Sequence, residues 1–358
     1  MAIKKKVPNV NMKLSSFRLF AASLSFAIMA TPMTSEACSR LSWNTDQGVF
    51  AARTMDWAHS FNDLMFIFPR GQTMTGGDVQ DALKWTSKYG SIITSIYPYA
   101  KKYGYDINDG ATDGINEKGL SAHLLYLEKT QYSQPNAQPS VSYLRWVRYI
   151  LDNFATVDEA VNAMKNVRID GVKLGKSVIG THLVIEDISG DNAIFEVLDG
   201  ELKVHHGKQY NVMTNDPPYD WQIINLSQYT GFGGFKSMPG SIEPADRFVR
   251  ASYYTKNLPE PTNSTEAVGY AMSAIRSVVV PFGAPTGQSG ASTYPTWWTS
   301  ATDLEQGIYY FNWSMNPNVF WLDTKEIDFS NASGVRFIDP KNPSLNGNVT
   351  KLIRAYNP

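Results

Sequence analysis

The chain has 358 residues and a formal net charge of −1, with 32 Lys and Arg against 33 Asp and Glu. That balance leaves no basic footprint for nucleic acid, and an aromatic content of 13% points to a packed globule and away from disorder. The length allows one large domain or two small ones, with ample core.

Lys4, Lys5, Lys6, Lys13 and Arg18 make a basic start. Leu19 to Ala30 follows, apolar except for Ser23 and Ser25, and its twelve residues fall short of the roughly 20 a bilayer span needs. Ser35 and Ala37 are small residues at −3 and −1 of a cut before Cys38. Together these parts predict a secretory signal over residues 1–37 and a mature domain over residues 38–358. The mature chain would carry 27 Lys and Arg against 32 Asp and Glu in 321 residues. No stable membrane association is expected after the signal is removed.

Cys38 is the only cysteine, so an exported chain has no internal disulfide to form. Cut before it, the mature chain starts with a thiol nucleophile and a free amine on the same α-carbon, and a terminal amine can serve as the base. Ordinary values of ~7.7–8 for the amine and ~8.5 for the thiol allow proton transfer at neutral pH. A second meaning stays open, because bacterial lipoproteins are cut before a cysteine that then carries lipid. Ser35 at −3 and Glu36 at −2 depart from the Leu and small residue of that signal.

From Cys38 the pattern is β. Leu41 to Trp43, Gly48 to Arg53, Leu64 to Phe68, the end of Ala82 to Thr94, and Ser121 to Leu127 read as strands separated by turn formers. Val141 to Asn153 has helical spacing, and Thr156 with Glu159 predicts a capped helix over Val157 to Asn166. Thr181 to Glu186, Asn192 to Leu198, Glu201 to His206 and Tyr210 to Thr214 read as a meander. Tyr219 to Leu226 and Ala245 to Asn257 are predicted helices, as is Thr265 to Ser277, capped by Ser264. Aromatic-rich strands close the chain between Thr293 and Phe329. This order predicts a layered single domain, two sheets with helices outside them. The histidines His59, His123, His182, His205 and His206 show no metal-ligand spacing, and no Walker loop, dinucleotide fingerprint or serine elbow is present. No metal or cofactor is expected.

Four motifs then align in order: Cys38-Ser39-Arg40 with Ala52-Arg53-Thr54-Met55-Asp56; Gly114 to Leu120 leading to Tyr126; Met213-Thr214-Asn215-Asp216-Pro217; and Pro239-Gly240 with Asp246-Arg247-Phe248. Across the mature chain the sequence resembles the choloylglycine hydrolases, which comprise penicillin V acylases and conjugated bile salt hydrolases. The resemblance implies an α+β fold, the four-layer αββα sandwich of N-terminal-nucleophile hydrolases. It implies Cys38 as nucleophile, Arg53 beside the thiol, and Asp56 holding the terminal amine. It also implies Asn215 and the Tyr126 N–H as oxyanion donors, and Arg247 as a further site arginine.

Tyrosine at position 126 is typical of penicillin V acylases, where bile salt hydrolases carry asparagine. The 32 positions from Asn215 to Arg247 are fewer than in bile salt hydrolases, whose long assembly loop lies there. The shorter segment resembles the Gram-negative branch, some members of which cleave N-acyl-homoserine lactones. The implied substrates are small acyl amides, the implied assembly a homotetramer, and the implied compartment the periplasm. Trp57, next to Asp56, and Trp85 are candidates to line an acyl pocket. Two other readings stay in view: a conjugated bile salt hydrolase, and a non-catalytic, lipid-anchored periplasmic binding protein.

Overall fold

Gly48–Asp56 is a strand whose nine residues are all buried, as a strand covered on both faces must be. It runs through a seven-stranded sheet ordered Val212–Met213, Arg40–Thr45, Gly48–Asp56, Thr296–Asp303, Ile308–Trp313, Phe320–Asp323 and Gly347–Asn348. A nine-stranded sheet is ordered Glu201–His206, Asn192–Leu198, Thr181–Glu186, Ser121–Tyr126, Ala111–Asn116, Ser91–Ser95, Leu64–Phe68, Arg336–Ile338 and Arg354–Ala355. This computed structural model describes residues 38–284 and 294–357, and the predicted signal at 1–37 lies outside them.

Side-chain alternation in the nine-stranded sheet explains the layers. Met65, Ile67, Ile92, Val184 and Ile194 face the first sheet and join Leu41, Phe50 and Phe311 in one core. Their strand neighbours Phe66, Phe68, Ile93, Leu183 and Phe195 face the opposite way and pack with Val147, Ile150 and Leu151. Helices Trp146–Asn153 and Val157–Met164 cover that outer face. Helices Pro244–Lys256 and Ser264–Arg276 cover the outer face of the seven-stranded sheet. The result is an αββα sandwich, as the resemblance implies.

Three elements differ from expectation. The helix predicted from Val141 starts at Trp146, because Ser140–Ser142 is drawn into parallel pairing with Arg168–Asp170 and Tyr143–Arg145 forms a single 3-10 turn. All eight residues of that helix are buried, so its apolar period marks no single face. The later helix is capped by Asn263 and not Ser264. The Asn263 Oδ1 accepts from the Glu266 N–H at 2.9 Å, and Asn is among the best N-caps. The predicted fourth strand of the meander shrinks to Val212–Met213 and leaves it. It pairs instead with Arg40–Leu41 in the other sheet.

Candidate active site

That crossing strand builds the site. Cys38 stands at the head of Arg40–Thr45, and reciprocal bonds extend the ladder past it: Ser39 N donates to Thr54 Oγ1 at 3.0 Å, and Thr54 N to Ser39 O at 2.8 Å. Gly48–Asp56 then presents Arg53, Met55 and Asp56 beside Cys38. Because Val212–Met213 pairs with Arg40–Leu41, Asn215 emerges next to the Cys38 backbone. Arg247 comes from the first turn of Pro244–Lys256.

Cys38 is buried, at 2% exposure. Its Sγ lies 3.7 Å from Met55 Sδ and 3.9 Å from the Asp56 carbonyl. Its backbone nitrogen donates to Asn215 Oδ1. Arg247 ties the parts together. Its Nη1 donates to Cys38 O at 2.8 Å and to Ser39 Oγ, its Nη2 to Asn215 Oδ1 at 3.1 Å, and its Nε to Ile242 O at 2.8 Å. Asn215 Nδ2 donates to Tyr126 O at 2.7 Å. Arg53 sends Nη1 to the carbonyls of Thr112 at 2.5 Å and Leu124 at 3.2 Å, and stacks on Trp298 with its centre 5.0 Å from the ring centroid.

Asp56 is held by two threonine hydroxyls and Arg247. Among the described residues the Cys38 N–H bonds to Asn215, while the Asp56 carboxylate accepts from Thr54 Oγ1 at 3.0 Å and Thr296 Oγ1 at 2.5 Å, and pairs with Arg247 at 3.6 Å. Thr296 is 240 positions from Asp56 and carries no sequence signal; only the pairing of Thr296–Asp303 with Gly48–Asp56 brings it there.

Burial raises the Cys38 thiol above its ordinary value, and Arg53 opposes that rise. Burial likewise pushes Asp56 up to about 6, against the pull of Arg247 and the two threonine hydroxyls. The sign follows: Asp56 is ionised and paired with Arg247 above about pH 6, and neutral below it. We expect kcat/KM to fall as pH drops through that value. The residual activity of Asp56→Asn should lack this limb in its pH–rate profile.

Beside Cys38 opens a cavity of ≈ 310 Å³ walled by Met55, Trp57, Phe61, Tyr99, Leu124 and Ile179 among others. Its rings interlock: Trp57 meets Tyr126 edge-on at 5.8 Å, Phe61 at 5.1 Å, and Phe61 meets Tyr99 at 5.0 Å. Such a wall desolvates an apolar group. Trp85 is elsewhere. Its short strand Lys84–Thr86 pairs with Thr73–Thr75, its Nε1 donates to Asp152 Oδ2 at 2.9 Å, and its ring packs on Tyr149 in the outer core. Of the two tryptophans expected to line an acyl pocket, Trp57 lies on this cavity and Trp85 does not. Among the described residues one group of ligand-bearing side chains does assemble, Asp158, Asp191 and His206, with ligand atoms within 4.8 Å of one another. Three separate elements supply it, so no local spacing announces it.

The family model for linear amide C–N hydrolases, choloylglycine hydrolase family, matches residues 38–337. A penicillin V acylase of Pectobacterium atrosepticum is 38% identical over 324 residues, 83% of this chain and 84% of that one. A bile salt hydrolase/transferase of Clostridium perfringens is 27% identical over 316 residues, covering 80% of this chain and 92% of the relative. The solved penicillin V acylase of Agrobacterium tumefaciens superposes with a TM-score of 0.78 at 35% identity, over 90% of this chain and 98% of that one. Those matches coincide with a buried lone cysteine on an αββα frame: the chain belongs to the choloylglycine hydrolase family and is an N-terminal-nucleophile amidohydrolase acting on linear C–N amide bonds.

Proposed function

We propose that this enzyme hydrolyses the side-chain amide of penicillin V, releasing phenoxyacetic acid and 6-aminopenicillanic acid, and also cleaves N-acyl-homoserine lactones. The observation that carries this reading is the apolar, aromatic cavity opening directly on Cys38. A phenoxyacetyl group or fatty acyl chain gains by leaving water there. The higher identity to the penicillin V acylase relative than to the bile salt hydrolase/transferase, 38% against 27%, supports the same substrate class.

In the proposed cycle the Cys38 α-amine takes the thiol proton and the thiolate attacks the amide carbonyl. The tetrahedral oxyanion accepts hydrogen bonds from Asn215 Nδ2 and the Tyr126 N–H. An amide nitrogen carries two hydrogens, so Asn215 serves the Tyr126 carbonyl with one and the oxyanion with the other. The amine then protonates the leaving nitrogen, the C–N bond breaks, and a thioester remains on Cys38. Water, deprotonated by the same amine, attacks the thioester and restores the thiol. Arg53 favours the thiolate, and Arg247 with Asp56 holds the Cys38 backbone in place.

The test is a substrate panel on wild type, Trp57→Ala and Trp85→Ala. Penicillin V and long-chain acyl-homoserine lactones should be cleaved and glycine- and taurine-conjugated bile salts should be poor substrates. Trp57→Ala should raise KM for apolar acyl groups by about 1–3 kcal/mol of lost burial, while Trp85→Ala leaves KM unmoved. Efficient bile salt cleavage with negligible penicillin V turnover overturns the assignment.

The proposed setting is the periplasm, reached through a signal cut before Cys38, and the proposed assembly is a homotetramer. Trp221, Ile224 and Phe235 are exposed apolar side chains at 63%, 56% and 98%, between Asn215 and Arg247, and they support an interface there. Sedimentation velocity should show Trp221→Asp in a smaller assembly than wild type. An unchanged sedimentation profile removes that interface.

A further inference from the structure

Five ionisable side chains are sealed between the two sheets, all at most 1% exposed: Arg40, Glu186, His123, Asp113 and Arg53. Their charges alternate along a connected path. Arg40 Nη2 bonds Glu186 Oε2, Glu186 Oε1 lies 2.6 Å from His123 Nε2, His123 Nδ1 bonds Asp113 Oδ1, and that oxygen lies 3.9 Å from Arg53 Nη1. The backbone closes the path into a ring, because Arg40 and Arg53 are cross-strand partners. Glu186, His123 and Asp113 come from three adjacent strands of the facing sheet, with His123 in register with both Asp113 and Val184. Of the three carbonyls that hold Arg53, one is Thr54 O and the other two belong to Thr112 and Leu124, the chain neighbours of Asp113 and His123.

Buried ion networks are seldom more stable than apolar packing of the same volume. A stability role alone therefore gives no reason for this one, and its one link to the chemistry is Arg53. Resting on the reading of Cys38 as nucleophile, we infer that Asp113 and His123 are positioning residues acting through Arg53: backbone carbonyls hold the guanidinium, and the charges of these two side chains set how strongly it acts on the Cys38 thiol.

Tyr309 and Ser300 donate to Asp113 Oδ2, the latter at 2.7 Å, and Thr94 bonds Tyr309 at 2.9 Å. Asn192 accepts from Arg40 at 2.6 Å, Ser121 lies 3.2 Å from His123 Nε2, and Tyr219 lies within electrostatic reach of Arg40. Asp63 feels Arg53, and Asp56 follows it on the same strand. Burial works against charge on His123, but Glu186 and Asp113 outweigh it and hold the imidazole above its ordinary value.

The charges predict opposite signs for two isosteric changes. Asp113→Asn removes the anion opposing Arg53 and should favour the thiolate; His123→Gln removes the cation that offsets Asp113 and should disfavour it. The experiment is the pH–rate profile of iodoacetamide labelling at Cys38 in the mature protein, read by intact mass, with thermal unfolding followed for every variant. At neutral pH we expect labelling about three- to tenfold faster in Asp113→Asn and slower by a similar factor in His123→Gln. Asp152→Asn breaks a buried pair with Arg148 that has no link to the thiol, and it should lower stability without moving the profile. Glu186→Gln, one link further along, should accelerate labelling about twofold and supplies the sign if Asp113→Asn fails to fold. Shifts of the same sign in His123→Gln and the carboxylate variants, unmoved profiles in folded variants, or an equal shift in Asp152→Asn overturn the inference. A reactive wild-type Cys38 with unmoved variants sinks the positioning role alone; a wild-type Cys38 that is unreactive and dispensable for turnover sinks the nucleophile with it.

Discussion

Cys38→Ser is expected to lose about 10³-fold or more in kcat while keeping the wild-type fold, because a hydroxyl is a far weaker nucleophile than a thiolate at this pH. The site is also matched to sulfur: Met55 Sδ lies 3.7 Å from Sγ, and Arg53 opposes the rise in thiol pKa that burial imposes. Iodoacetamide should inactivate the wild type with a single adduct, since the chain has one cysteine. The amine is the other half of the same residue. A chain verified by intact mass to retain residues ahead of Cys38 has an amide there, which cannot act as a base, and should be equally inactive. Full turnover after complete alkylation removes the nucleophile, and full turnover with the leader intact removes the terminal-amine mechanism.

Local residues announced much of this. The strands Thr181–Glu186, Asn192–Leu198 and Glu201–His206 match their predicted bounds: short turns join them, and the first two are buried on both faces between two cores, which leaves little choice of register. The cysteine stood out by number and by its place after a signal-like leader. The rest of the candidate site came through family motifs, because its assembly is non-local. Asn215 reaches Cys38 through a two-residue strand that changes sheets, and so short a strand has no period to read. The hydroxyls of Thr54 and Thr296 on Asp56 are ordinary threonines until the ladder forms. Trp85 shows the converse. Its place in the Lys84 to Ser91 segment suggested the pocket, yet a three-residue hairpin strand turns it to Asp152 in the outer core. The ring from Arg40 to Arg53 joins five strands, and no spacing in the chain hints at it.

Asn215 carries the other large effect, and its two ends can be separated. Oδ1 accepts from the Cys38 nitrogen and from Arg247; Nδ2 donates to the Tyr126 carbonyl and, in the proposed cycle, to the oxyanion. Asn215→Ala removes both ends, and kcat should fall by about 10²–10³-fold, the usual cost of one oxyanion donor. Asn215→Asp is the sharper test. It keeps an acceptor for the amine and for Arg247 but has no hydrogen to give, and it sets a carboxylate against the Tyr126 carbonyl. If donation to the oxyanion is what matters, Asn215→Asp should be as slow as Asn215→Ala, with KM for penicillin V little changed. Iodoacetamide labelling forms no oxyanion, so Cys38 should still react within a few-fold of wild type in the alanine variant. That split between turnover and labelling distinguishes a lost donor from a displaced cysteine. Turnover near wild type in Asn215→Asp would show that the oxygen end, holding Cys38 and Arg247, is the part that counts, and would remove Asn215 from the oxyanion site.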